Sequence, residues 1–180
     1  MQTSGFMETG IRSQTIPIGR GASAMQHRIQ FREASWPADA EAISAVRREV
    51  FIEEQGVPEP LEFDGLDATA LHWLAIGPGE EPIGTLRMLP SGQIGRMAVR
   101  EPWRGHGIGS RLLDYAVEAA MRHGWREVWL NAQNTRLGFY AQHDFFIISD
   151  TFEDAGIPHR RMLRRIRQPL AQARARAQAG

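Results

Sequence analysis

Apolar and polar residues alternate from His27 to Ala34, the period of a half-buried strand. Ser35-Trp36-Pro37 then opens a helix, since proline is tolerated in a first turn, and Ile43, Val46, Val50 and Phe51 recur at helical spacing to give it one buried face. An acidic stretch broken by turn residues follows, from Glu53 through Gly56, Pro58 and Pro60 to Asp67. Residues 70–76 and 83–89 predict two strands joined by the hairpin loop at 77–82, and 93–99 predicts a third after the turn Pro90-Ser91-Gly92. The next helix begins near Gly109-Ser110, turns Leu112, Leu113, Ala116, Val117, Ala120 and Met121 inward, and meets its cap at Gly124. Beyond it the pattern predicts a buried strand at 128–131, a short helix at 135–143, a strand at 145–152 and a last strand at 159–166. Strands alternate with helices only in the second half, so the expected fold is α/β with a mixed sheet, not a fully parallel one.

A chain of 180 residues with 42 % hydrophobic residues is sized for one domain with a sizeable core. Residues 1–24 are rich in Gly, Ser and Thr without an apolar run, and read as a disordered extension instead of a secretory signal. The domain is expected over 25–166, and the Ala/Gln/Arg-rich 167–180 reads as a solvated tail. No apolar run approaches the ~20 residues of a membrane span, so a cytoplasmic protein without membrane contact is expected.

Charge and composition then narrow the chemistry. All 21 acidic residues fall at or before Asp154 with 14 of the 21 basic ones, so residues 1–154 sum to −7 and 155–180 to +7. Every basic residue is arginine, which excludes a P-loop lysine, a Schiff base and a lysine general base. Cysteine is absent, which excludes disulfides, a thiolate nucleophile and cysteine-built zinc sites; no metal is expected. The basic tail lacks interleaved aromatics and the chain is neutral overall, so nucleic acid is not the expected partner. Seven acids lie between Glu49 and Asp67, and read either as a solvated loop face or as an attraction for a cationic acceptor such as a polyamine or aminated sugar.

The sharpest motif is Arg104-Gly105-His106-Gly107-Ile108-Gly109-Ser110, between a strand and the strong helix. Alternate glycines let the backbone turn tightly and present successive N–H groups to an anion. The helix behind contributes its positive end, worth roughly 0.3–1 kcal/mol and up to ~2 in partly buried geometry. Arg104 adds a charge that can fork two phosphate oxygens. A dinucleotide loop would read G-x-G-x-x-G near the first strand, and a nucleoside-triphosphate loop needs a lysine; neither fits.

These residues resemble the pyrophosphate motif of the GNAT superfamily of N-acetyltransferases, Arg/Gln-x-x-Gly-x-Gly/Ala, met by Arg104, Gly107 and Gly109. Arg96-Met97-Ala98-Val99 resembles the strand that precedes this motif, and Phe139-Tyr140-Ala141-Gln142-His143-Asp144-Phe145 resembles the family's Phe-Tyr-x-x-x-Gly-Phe junction, with Asp144 in place of glycine. Val50–Pro58 and Ala155–His159 resemble the ElaA/YjcF-like branch, and the whole likeness spans about 27–166.

The resemblance implies a GNAT fold: six to seven strands in a mixed central sheet, about four helices, and a splay between two parallel strands. It implies acetyl-CoA as co-substrate, a small-molecule amine or peptide as acceptor, and allows a homodimer. The backbone of Met97 and Val99 would pair with the pantetheine arm, and an N–H near Met97 or Ala98 would donate to the thioester oxygen. Gly105, His106, Gly107, Ile108, Gly109 and Ser110 would hold the pyrophosphate with Arg104. Tyr140 stands where the family protonates the leaving thiolate, and Gln133 stands at the usual asparagine position. With no cysteine, direct transfer within a ternary complex is expected. The base is open among Glu54 and His159; His72, in an apolar strand, reads as a core residue, and His106 as exposed. A silent acyl-CoA sensor is the alternative expectation, motivated by Asp144 and the unassigned base.

Overall fold

The computed structural model describes residues 14–17 and 28–166. Alternation over Arg28–Ala34 (β2) turns Ile29 and Phe31 inward. The first helix runs Ala40–Arg47 (α1) and continues as a π-helical turn over Arg48–Glu54. The wider turn still buries Val50, and it brings Phe51 and Glu54 to the wall of a groove. A short helix, Glu59–Glu62 (α2), carries part of the acidic stretch.

Leu71–Ile76 (β3) and Pro82–Met88 (β4) are buried almost throughout because both faces are covered. On one side Leu74 and Ile76 pack with Ile43 of α1. On the other, Trp73, Ala75, Ile83 and Leu86 share a core with Leu112, Leu113, Ala116 and Ala120 of the main helix, Ile108–Arg122 (α3). That helix closes as the sequence predicts, with the N–H of Gly124 bonded to Met121 O and that of Trp125 to Ala120 O.

The strand Ile94–Val99 (β5) and an edge strand, Gln14–Pro17 (β1), complete an antiparallel sheet in the order β1-β2-β3-β4-β5. The edge strand is an element that the sequence reading did not place; it pairs antiparallel with β2. The remainder of 1–24 and the tail 167–180 lie outside the described residues. A second antiparallel sheet holds Glu127–Gln133 (β6) and the long Ile157–Arg165 (β9), flanked by Phe146–Ile147 (β7) and Phe152–Asp154 (β8). A helix, Leu137–Ala141 (α4), leads into β7.

The single strand expected at 145–152 is therefore two. Ile147 opposes Met162 and Phe152 opposes His159, which leaves extra residues on the first strand. The Ser149 hydroxyl fills the gap by accepting the Arg161 N–H at 2.8 Å, where a ladder carbonyl would stand. Among the described residues this gives nine strands in two sheets joined by one parallel bridge, with about four helices, in keeping with the mixed α/β arrangement that the resemblance implies.

β5 and β6 run parallel and touch at one end only, through the bridge Gln93–Trp129 and the bond from Trp129 N–H to Gly92 O at 3.0 Å. Beyond that bridge the two sheets splay, as the resemblance implies. The opening is where the candidate site residues collect.

Candidate functional site

The groove at the splay encloses about 510 Å³, in the range of small-molecule and cofactor sites. Met97, Ala98 and Val99 of β5 form one wall, the glycine loop one end, and Gln133, Phe139 and Tyr140 the far side. Glu54 and His159 also line it, so the sequence-predicted residues converge. His106 is the exception: its side chain is exposed, outside the lining, with Nδ1 3.3 Å from Trp103 O.

The loop owes its shape to Gly105 and Gly107, at φ +80° and +76°. A Cβ at either would meet nothing within 4 Å, so what requires glycine there is the left-handed backbone and not a lack of space. Ile108, buried at 2 % exposure, anchors the start of α3 beneath it. The residues present thus fit a diphosphate: open backbone, helix N-terminus, and the Ser110 hydroxyl on the groove wall.

β5 carries a bulge beside the groove. Thr85 pairs with Ala98 and Arg87 with Gly95, so Arg96 and Met97 face Leu86 alone. Arg96 sits at φ +49°, a conformation that costs a non-glycine residue about 1–3 kcal/mol. Its guanidinium offsets this by holding Leu61 O at 2.8 Å, Glu62 Oε2 at 3.0 Å and Asp64 Oδ2 at 3.1 Å.

Those contacts belong to a larger network. Arg47, fully buried, bonds Glu62 at 2.5 Å and Asp67 at 2.7 Å, and Arg87 bonds Asp64 at 2.7 Å and Asp67 at 3.0 Å. Burial pushes the Glu62 carboxyl up despite its arginines, whereas the Arg87 hydrogen bonds hold Asp64 down at about 2. Glu49 pairs with Arg100, Glu59 with Arg48, and Glu54 with Arg104. Six of the seven acids between Glu49 and Asp67 are thus matched by arginines: Glu62 and Asp67 form a buried, neutralised scaffold, whereas Glu53, Glu54, Glu59 and Asp64 keep the solvated face that the sequence predicts. His72 belongs to the core, with Nε2 2.9 Å from Asp67 O.

Glu54 offers little as a base. Both of its oxygens face Arg104, whose hydrogen bonds hold the carboxyl below its usual range. His159 is better placed. Its Nδ1 lies 2.7 Å from Ile157 O, and because a carbonyl only accepts, Nδ1 carries a proton, so that in the neutral tautomer the lone pair belongs to Nε2.

Tyr140 lies partly buried between Phe139 and Phe145, with ring centroids at 5.0 and 6.0 Å. Burial pushes its phenol up to about 12, partly countered by Arg136. Asp144 does not disturb this junction: it adopts φ +62°, and Phe145 N–H reaches Tyr140 O at 3.1 Å, the glycine-type helix ending. Gln133 Nε2 donates to Gln55 Oε1 at 3.0 Å and so ties β6 to the π-helical turn across the groove. Sequence reasoning missed His143 as a partner of the loop: its Nε2 is 3.0 Å from Ser110 Oγ, across 33 residues.

A family model described as an acetyltransferase (GNAT) domain matches residues 37–166. The uncharacterized N-acetyltransferase YjcF of Bacillus subtilis strain 168 is 35 % identical over 123 residues, covering 66 % of this chain and 87 % of that protein. Among solved structures, ElaA of Escherichia coli superposes with TM-score 0.68 at 29 % identity, covering 74 % of this chain and 98 % of that one. An acyl-CoA N-acyltransferase from Pseudomonas aeruginosa gives TM-score 0.68 at 28 % identity, covering 76 % and 99 %. The glycine loop at the head of α3, the splay beside it and these likenesses agree: the chain belongs to the GNAT acetyltransferase family.

Proposed function

We propose that the protein is an N-acetyltransferase that moves the acetyl group of acetyl-CoA to a primary amine by direct attack. One observation carries this reading: the glycine loop, the free edge of β5, Tyr140 and His159 share a single groove. The loop amides and Ser110 hold the diphosphate, and the backbone of Met97 and Val99 pairs with the pantetheine arm as an added strand would.

An alkylamine of pKa ~10.4 is neutral about once in 2,500 molecules at pH 7, a cost of roughly 4.6 kcal/mol that a base must offset. His159 Nε2 takes that proton. The acetyl carbonyl accepts from a backbone N–H at the bulge, Met97 or Ala98. The bond from carbonyl carbon to sulfur breaks, and Tyr140 faces the charge that develops on sulfur. A phenol near 12 lies about 3.5 units above a thiol of ~8.5, so full transfer runs uphill by about 5 kcal/mol. Tyr140 therefore acts as a hydrogen-bond donor to sulfur.

Incubation with acetyl-CoA and a panel of small amines should release free thiol in proportion to acetylated product. Cofactor binding without thiol release for any amine would instead favour the silent sensor. The left-handed Asp144 and the fixed tautomer of His159 both support the enzyme.

A further inference from the structure

Ser110, His143 and Asp114 carry the residue types of a nucleophilic triad, but not its geometry. Ser110 Oγ is 3.0 Å from His143 Nε2, while His143 Nδ1 stands 4.0 Å from Asp114 Oδ1, beyond hydrogen-bond reach. Ser110 also sits on the first turn of α3, at the phosphate end of the groove. Its hydroxyl is placed to meet an anion.

We propose that His143 is a positioning residue for the cofactor diphosphate: it orients the Ser110 hydroxyl and gains a proton when the anion binds. This rests on the coenzyme A reading of the groove. With neutral His143 and its proton on Nδ1, toward Asp114, Nε2 accepts the Ser110 O–H, and the hydroxyl hydrogen points away from the loop. Protonation of Nε2 reverses the bond. Ser110 Oγ then accepts from the imidazolium, and its hydrogen is released to donate to a phosphate oxygen. The arriving negative charge favours the same cation.

The surroundings permit the exchange. On α3, Asp114 favours the imidazolium, and Arg111, 4.0 Å from Asp114, opposes it. On β9, Arg164 donates to the His143 carbonyl at 2.9 Å and lies 3.6 Å from Asp144, whose side chain is exposed. On α4, Phe139 packs against the imidazole at 4.9 Å between centroids, and the same ring would lie 3.6 Å from a Cβ at Gly109. The imidazole is thereby fixed against the loop instead of free in solvent.

The test is calorimetric titration of the protein with coenzyme A from pH 6 to 8, in two phosphate-free buffers of different ionisation enthalpy. The natural protein should take up protons on binding and bind about three- to tenfold tighter at pH 6 than at pH 8. His143→Gln keeps a donor for Ser110 but cannot titrate; it should bind with no such uptake and lose that pH trend, which also subtracts any contribution from the ligand's own phosphates. Equal proton uptake in both proteins, or none in either, would overturn the proposal while leaving the cofactor assignment intact. Failure of the natural protein to bind coenzyme A at any pH would overturn both.

Discussion

Glu54 and Arg104 face each other across the groove, with Oε1 at 2.9 Å and Oε2 at 2.5 Å from the two terminal guanidinium nitrogens. Arg104 also donates through Nε to Val99 O at 2.9 Å, so the motif arginine links the π-helical turn, the end of β5 and the phosphate loop. A carboxylate forked in this way resists protonation, which supports His159 over Glu54 in the proposed role of base.

Two substitutions separate these roles. His159→Gln should lower kcat by roughly 10²–10⁴-fold and leave coenzyme A affinity unchanged. Glu54→Gln should keep most of kcat and, since both partners are partly exposed, cost less than about 1 kcal/mol of stability. Steady-state kinetics with thermal melts reads both; a greater kcat loss for Glu54→Gln than for His159→Gln would reverse the assignment.

Tyr140→Phe removes the donor to sulfur without emptying its aromatic niche. The expected result is a fall in kcat of roughly 10²-fold at constant coenzyme A affinity. Because the phenol stays protonated until about pH 12, the natural enzyme should show no loss from Tyr140 ionisation up to about pH 10. A rate profile extended to that pH checks it.

Asp64 links the buried network to acid stability. Its carboxyl sits at about 2 in the fold against 3.8 for the ordinary group, because Arg87 bonds the charged form. The pairing thus stabilises the fold above pH ~4, by about 1 kcal/mol once solvent screening of the partly exposed Asp64 is allowed for, and that contribution is lost as pH falls toward 2. Denaturant titrations at pH 6 and 2.5 should show a smaller acid loss for Asp64→Asn than for the natural protein.

Asp144 pays a conformational cost that glycine would not. Asp144→Gly should raise stability by about 0.5–1 kcal/mol, or roughly 1–4 °C in a chain of this size. Asp144→Val should lower it, since a β-branched residue tolerates positive φ poorly. Thermal melts of the two variants give opposite signs if the left-handed turn is intact.

The alternation of β2, the strands β3 and β4, the face of α3 and its Gly124 ending were all legible along the chain, as was the glycine loop ahead of α3. Each depends on backbone constraints and side-chain periodicity acting over a few neighbouring residues. The split of 145–152 was not legible, because it depends on the Ser149 hydroxyl meeting Arg161, 12 residues on. Nor was the fate of the acidic stretch, whose partners Arg87 and Arg96 arrive from other strands. The choice between Glu54 and His159 was equally closed to the sequence, since a carboxylate's basicity is set by an arginine 50 residues away and a histidine's tautomer by the carbonyl its ring happens to meet. Residue order alone specified the elements and the loop; only packing, which brings distant charges together and removes their water, decided which side chains are scaffold and which are left free to react.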